Sequence, residues 1–202
     1  MGIKLKKIKR AISKELNPER QEHTYGVAYT AMALAMRYDG SLKKAEAAGL
    51  LHDIAKDIPP KRALKLCDKW NITFSDVEKR NPYLLHAKLG AYYAHSVFGV
   101  DDTDILNSII YHTTGRPDMS LLEKIIFVAD YIEPKRARAS RLKELRKLAF
   151  IGIDQAIYEI TSDILSYLKR IGGEIDPRTF RTYEFYKQIA LKKQAEGRSS
   201  GE

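Results

Sequence analysis

The sequence predicts an all-α protein built as a single helical domain. Apolar residues recur at helical spacing, several of these segments open on recognisable caps, and no segment sustains a period-two pattern. With 202 residues, 44% of them hydrophobic, the chain is long enough to bury one core and too short for two ordinary domains.

The elements follow in order. Residues 1–16 form a basic, helical N-terminal extension. Asn17 followed by Pro18 sets an N-cap before a proline at the first helical position, and opens a helix that runs to about Asp39-Gly40. Ser41 caps the next helix, through Ala45, Ala48 and Leu51. Pro59-Pro60 separates it from a segment carrying Leu64, Leu66 and Trp70. Ser75-x-x-Glu78 and Ser120-x-x-Glu123 both fit the capping box, in which each side chain satisfies the other residue's backbone N–H. Further helices are expected from Pro82 to Phe98, Asp102 to Tyr111, Met119 to Ile132, Ser140 to Ala149, Ile153 to Ile171 and Thr179 to Lys193. Gly172-Gly173 closes the fifth of these. The main domain is thus expected over 17–192, with a disordered tail over 193–202.

Composition narrows the function classes. A single cysteine, Cys67, permits neither an intramolecular disulfide nor a thiolate metal cage, which points to a reducing compartment, by default the cytoplasm. The basic start lacks an apolar stretch of signal-peptide length, and no hydrophobic run approaches the roughly 18 residues that span a bilayer, so no membrane partner is expected. The net charge of +9 is concentrated in two places. Residues 1–20 hold seven Lys/Arg against Glu15 and Glu19, and residues 135–147 hold seven against Glu144, leaving the remainder slightly acidic. Such local excess suits a polyanion, either nucleic acid or a phosphate-rich small molecule.

Three polar interruptions of apolar helices point to a metal. His52-Asp53 ends the small, apolar run from Ala45 to Leu51, Asp130 interrupts Ile125 to Ile132, and His23 stands beside the apolar face formed by Val27, Ala31 and Leu34. Burying these groups unsatisfied would be costly, and a cation would relieve the conflict. Two imidazoles and two carboxylates, with no sulfur, suit iron, manganese, zinc or magnesium; a metal-free polar network is the competing account. Arg20 lies three residues before His23, and Lys56 three after Asp53, each on the helix face of a proposed ligand. Either could neutralise phosphate oxygens or pair with the carboxylates.

The order His23, His52-Asp53, Asp130 resembles the HD-domain superfamily of metal-dependent phosphohydrolases. More narrowly, Arg20-x-x-His23, the run Ala48 to Asp53 with Lys56, His86, His112-Thr113-Thr114-Gly115 and Ala129 to Pro134 with Arg136 are similar to the YqeK-type HD proteins, over about residues 17–190. The resemblance implies an HD helical bundle and symmetrical bis(5′-nucleosyl)-tetraphosphatase activity, cutting diadenosine tetraphosphate into two ADP. It implies iron as the metal, with His23, His52, Asp53 and Asp130 as ligands, and nucleotide contacts from Arg20, Lys56, His86, His112 and Arg136. Asp53, Lys56, His86 and His112 would be the catalytic set, with Asp53 able to bridge metal and nucleophile. His86 and His112 could complete a second metal site or donate to phosphate and leaving group; the absence of a neighbouring carboxylate in sequence favours the second role. His95 has no motif around it.

The expected partner is a dinucleoside polyphosphate or another nucleotide. Another HD nucleotide phosphohydrolase, acting as a nucleotidase or alarmone hydrolase, is the nearest alternative. An RNA- or ribosome-binding protein with a vestigial site is a more distant one. A homodimer stays open, as does the role of the N-terminal basic helix.

Overall fold

A computed structural model describes residues 4–137 and 141–199, and among these there are helices and no strand. The helices are α1 (Leu5–Glu15), α2 (Pro18–Arg37), α3 (Leu42–Leu51), α4 (Pro60–Lys69), α5 (Asp76–Arg80), α6 (His86–Ser96), α7 (Thr103–Tyr111), α8 (Leu121–Ile132), α9 (Leu142–Ile151), α10 (Ile153–Arg170) and α11 (Pro177–Ser199). None is long and apolar enough to cross a membrane.

The starts of the helices follow from local chemistry. The Asn17 side chain accepts from the Arg20 N–H at 3.0 Å, with Pro18 at the first helical position. Ser41 accepts from the Lys44 N–H. Both expected capping boxes close reciprocally, Ser75 with Glu78 and Ser120 with Glu123. Asp102 caps α7 by accepting from the N–H groups of Asp104 and Ile105.

Two elements depart from the sequence expectation, one of them at both ends. The run expected from Pro82 to Phe98 is divided: Pro82–Leu85 is a 3-10 turn and α6 starts at His86. That tighter opening leaves the Tyr83 carbonyl to accept from the His86 imidazole rather than from a regular helical N–H. The last helix opens at Pro177 instead of Thr179, because Asp176 accepts from the Arg178 N–H. It also continues to Ser199, through residues expected to form the disordered tail. Gln194, Ala195 and Glu196 are good helix formers, and Glu196 lies one turn from Lys192 at 4.0 Å. The proposed Ser140 start lies outside the described residues, as do 200–202; α9 begins at Leu142.

The core runs through α2, α3, α7, α8 and α10, with a smaller cluster under α4 formed by Ala55, Ala63, Cys67, Leu85 and Leu89. Cys67 is buried, and burial pushes its thiol up to about 11. The N-terminal helix is not an appendage: Ile8 and Ile12 of α1, with Leu16 after it, are buried in the main core. Helices α2 and α3 touch at Gly49, where an added Cβ would stand 2.6 Å from the Ala28 Cα. That approach sets His23 on α2 beside the turn that follows α3.

Candidate metal and nucleotide site

Five elements converge on one buried centre. Helix α2 supplies Arg20 and His23; the turn after α3 supplies His52, Asp53 and Lys56; α6 opens with His86; His112 ends α7; and α8 carries Asp130. All nine residues expected from the sequence, with Arg136 just beyond α8, are brought to this neighbourhood.

Asp53 lies at the middle, 2% exposed. Its Oδ1 is 3.2 Å from His86 Nε2 and 3.4 Å from His112 Nε2. Its Oδ2 is 3.6 Å from His52 Nε2 and 3.8 Å from His23 Nε2. Asp130 Oδ1 faces the same two histidines, at 3.1 Å from His23 Nε2 and 4.0 Å from His52 Nε2. Asp53 therefore divides the centre into one half with His23, His52 and Asp130 and another with His86 and His112. The donor atoms of His23, His52 and Asp130 lie within 4.8 Å of one another, and so do those of His52, Asp53 and His112.

The tautomers of the imidazoles decide what this centre can hold. His52 Nδ1–H donates to the Gly49 carbonyl at 2.7 Å, His112 Nδ1–H to the Ile109 carbonyl at 2.7 Å, and His86 Nδ1–H to the Tyr83 carbonyl. Each bond runs three residues back along the chain, so the turn of backbone leading to each histidine also fixes its ring. A neutral imidazole with its proton on Nδ1 has a lone pair on Nε2, and all three lone pairs face inward. Burial lowers the His52 pKa to about 4 and also lowers that of His86, which keeps both neutral. His23 differs: its Nδ1–H donates to Glu133 at 3.2 Å, and although burial opposes protonation, Asp130, Asp53 and Glu133 raise its pKa.

The result is a pocket of acceptors with too few protons among them. His86 Nε2 and His112 Nε2 stand 3.2 Å apart, and His23 Nε2, His52 Nε2 and Asp53 Oδ1 are buried without a hydrogen-bond donor. Both carboxylates are held ionised. Burial disfavours their charge, but the Lys56 ammonium lowers the pKa of Asp53, and His23 and Arg136 lower that of Asp130. These orphaned N and O atoms fit a divalent cation of hard or borderline character. The histidines have the outer partners that metal-binding imidazoles use, a carbonyl or a carboxylate on the second nitrogen.

Cations surround the centre. Arg20 donates to Asp53 Oδ2 at 2.9 Å, and Lys56 Nζ donates to His86 Nε2 at 3.1 Å while lying 3.6 Å from Asp53 Oδ1. Arg136 is 3.6 Å from Asp130. Above His23, His112 and Asp130 opens a cleft of about 1240 Å³, with Tyr83, Tyr131 and Tyr167 in its walls and Arg20, Lys135 and Arg136 along its rim. His95 is elsewhere, paired with Asp101 on the surface.

Sequence reasoning missed the part played by Glu133. Its carboxylate is buried, orients His23, and accepts from the Lys135 N–H at 2.6 Å, which ties down the segment leading to Arg136. Gly26 lies opposite: a Cβ there would stand 2.7 Å from Glu133 Oε2, so the carboxylate would have to shift. Glu133 stands in the Ala129–Pro134 motif, but nothing in the local pattern connects it to a histidine 110 positions earlier.

The HD domain family model matches residues 20–135, a span that opens at Arg20 and includes His23, His52-Asp53 and Asp130. The chain belongs to the HD domain family. Several relatives share most of its length. A protein of Bacillus subtilis (strain 168) named symmetrical bis(5′-nucleosyl)-tetraphosphatase is 41% identical over 174 residues, 86% of this chain and 92% of the relative. One of the same name from Staphylococcus aureus (strain NCTC 8325 / PS 47) is 34% identical over 186 residues, covering 91% and 95%. A crystal structure described as a predicted HD superfamily hydrolase involved in NAD metabolism, from Clostridium acetobutylicum, superposes with a TM-score of 0.89 at 38% identity, over 93% of this chain and all of that one. The all-α HD bundle expected from the sequence is the fold observed.

Proposed function

We propose that this HD protein hydrolyses diadenosine tetraphosphate and related dinucleoside polyphosphates symmetrically to two ADP, with iron as its divalent metal. The observation that carries the reading is the cluster of proton-poor acceptors around Asp53, set beneath a cation-rimmed cleft in a chain whose long-range relatives bear that activity in their names. His23, His52, Asp53 and Asp130 would hold the metal. Such a cation, when bound, lowers the pKa of water and polarises a phosphoryl oxygen.

The remaining roles follow from charge and proton position. A tetraphosphate bridge carries about four negative charges, and Arg20, Lys56 and Arg136 are placed to offset them as water adds at a central phosphorus and the central anhydride bridge breaks. His86 and His112 hold their protons on Nδ1, so while neutral they face the centre as acceptors. They can complete a second cation site, or take up the proton lost by the attacking water and return it to a phosphate oxygen. Donation to phosphate from the start would require protonation, which burial disfavours at His86. Asp53, shared by both halves of the centre, would orient metal and nucleophile together.

The test is elemental analysis of protein purified without chelators, followed by assays of stripped and reconstituted enzyme with diadenosine tetraphosphate and with single nucleotides. The expected result is stoichiometric iron, activity that disappears on stripping, and ADP as the sole nucleotide product. Asp53→Ala is expected to lose both metal and turnover while its helices stay folded, as read by circular dichroism. ATP plus AMP as products, or full activity in stripped protein, would overturn the reading. Preference for a mononucleotide or a guanosine alarmone would move the enzyme to another HD phosphohydrolase class.

A further inference from the structure

The basic N-terminal helix has no part in the site above, and the fold gives it a second location. Between α1 and α4 runs a groove of about 660 Å³, separate from the metal cleft. One wall presents Lys7, Arg10 and Lys14, successive on one face of α1, and the opposite wall presents Arg62 of α4. The floor is apolar: Ile54 and Ile58 from the turn that carries Asp53, and Val97 and Phe98 after α6. Among the described residues no carboxylate pairs with Arg10, Lys14 or Arg62, whereas Lys9 on the other face of α1 is bound to Glu46. Lys6, Lys61 and Lys65 extend the exposed positive charge along both helices.

We propose that this groove docks an acidic, amphipathic segment of a partner protein, with the segment's apolar side chains on the aliphatic floor and its carboxylates against Arg10, Lys14 and Arg62. The floor selects among polyanions. A single-stranded nucleic acid uses open aromatic faces on which its bases stack. Here Phe98 is 8% exposed and lies under the Lys7 ammonium, and Tyr93 is half-buried with its ring packed against Trp70 at 5.5 Å, so neither offers an open face; Val97, 44% exposed, is the accessible apolar part of the floor. Glu15 and Asp57 also line the groove and would repel a continuous phosphate backbone, but a peptide with separated carboxylates can place a backbone N–H or a lysine there. An apolar strip between unpaired cations has the pattern of a groove that receives a helix with one apolar and one acidic face.

The experiment is selection from a random short-peptide library on the full-length protein, with Arg10→Glu/Arg62→Glu and Val97→Asp variants screened in parallel. Peptides enriched by the wild type are expected to be net acidic with Leu, Ile or Phe at helical spacing. Titration of the best one should weaken by about tenfold or more in the charge-reversed protein and fall again with salt. Val97→Asp should weaken it as well, and hydrolysis should be unchanged in both variants. Enriched peptides that are neutral or basic, affinity indifferent to both variants, or preferential binding of oligouridylate or ADP through Arg10 and Arg62 would each overturn the proposal.

Discussion

Glu133 shows how a residue outside the centre can control it. Its carboxylate accepts the His23 Nδ1 proton, which leaves Nε2 free to face Asp130, and its negative charge makes that imidazole more basic. Glu133→Gln keeps the shape and removes the charge. Metal affinity is expected to fall about tenfold to a hundredfold with little loss of stability, measured by titrating metal into stripped protein alongside denaturant unfolding. An unchanged affinity would show that the ring is held by packing alone. The same comparison shows what could be read at this scale. His52-Asp53 and Asp130 were legible because each breaks an apolar helix, a conflict visible without a fold. His86 and His112 were legible as motif members, but not as partners of Asp53, since only the folded chain brings them within 3.4 Å of its carboxylate.

At the scale of elements, the crossing of α2 and α3 determines whether those residues meet. Gly49 lets the helices approach until an added Cβ would stand 2.6 Å from the Ala28 Cα and 3.0 Å from its nitrogen. Backbone cannot rotate away as a side chain can, so Gly49→Ala must push the helices apart. The expected cost is about 1–3 kcal/mol of stability, read from urea unfolding. Turnover of the surviving folded protein should drop as well, because His23 and the His52-Asp53 turn ride on opposite sides of that contact. Full activity per folded molecule would mean that the site tolerates the displacement. Helix starts were largely legible because Asn17, Ser41, Ser75, Asp102 and Ser120 act on backbone groups within a turn. The seat of α1 was hidden by its charge, although Ile8, Ile12 and Leu16 recur at helical spacing and are all buried. The end of α11 was hidden because its final turns look like a polar tail while consisting mostly of good helix formers.

Across the whole molecule, an ion network fastens α5 to the start of α11, where Asp176 and Thr179 line the cleft. Glu78, 2% exposed, accepts from Lys88 at 2.8 Å, from Arg178 at 2.7 Å and from the Ser75 N–H at 2.7 Å, while Arg178 also donates to Asp176 at 2.8 Å. Burial works against charge at both carboxylates, but Lys88, the Ser75 N–H and Arg178 lower the Glu78 pKa, and Arg178 lowers that of Asp176. A carboxylate whose folded pKa lies below its unfolded value binds fewer protons when folded. Its stabilisation is therefore complete above the unfolded carboxylate range and is lost as pH falls through the folded pKa. The sign predicts falling urea midpoints below about pH 5, as the unfolded chain begins to take up protons that the folded network refuses. Asp53 and Asp130 contribute in the same direction, so the acid limb alone does not identify the network. Glu78→Gln does: it should be less stable at neutral pH, where Arg178 and Lys88 lose a charged partner, and its stability should fall less steeply between neutral pH and pH 4. A variant whose acid limb runs parallel to the wild type would remove Glu78 from the acid sensitivity of the fold and leave the buried carboxylates of the metal centre as its source.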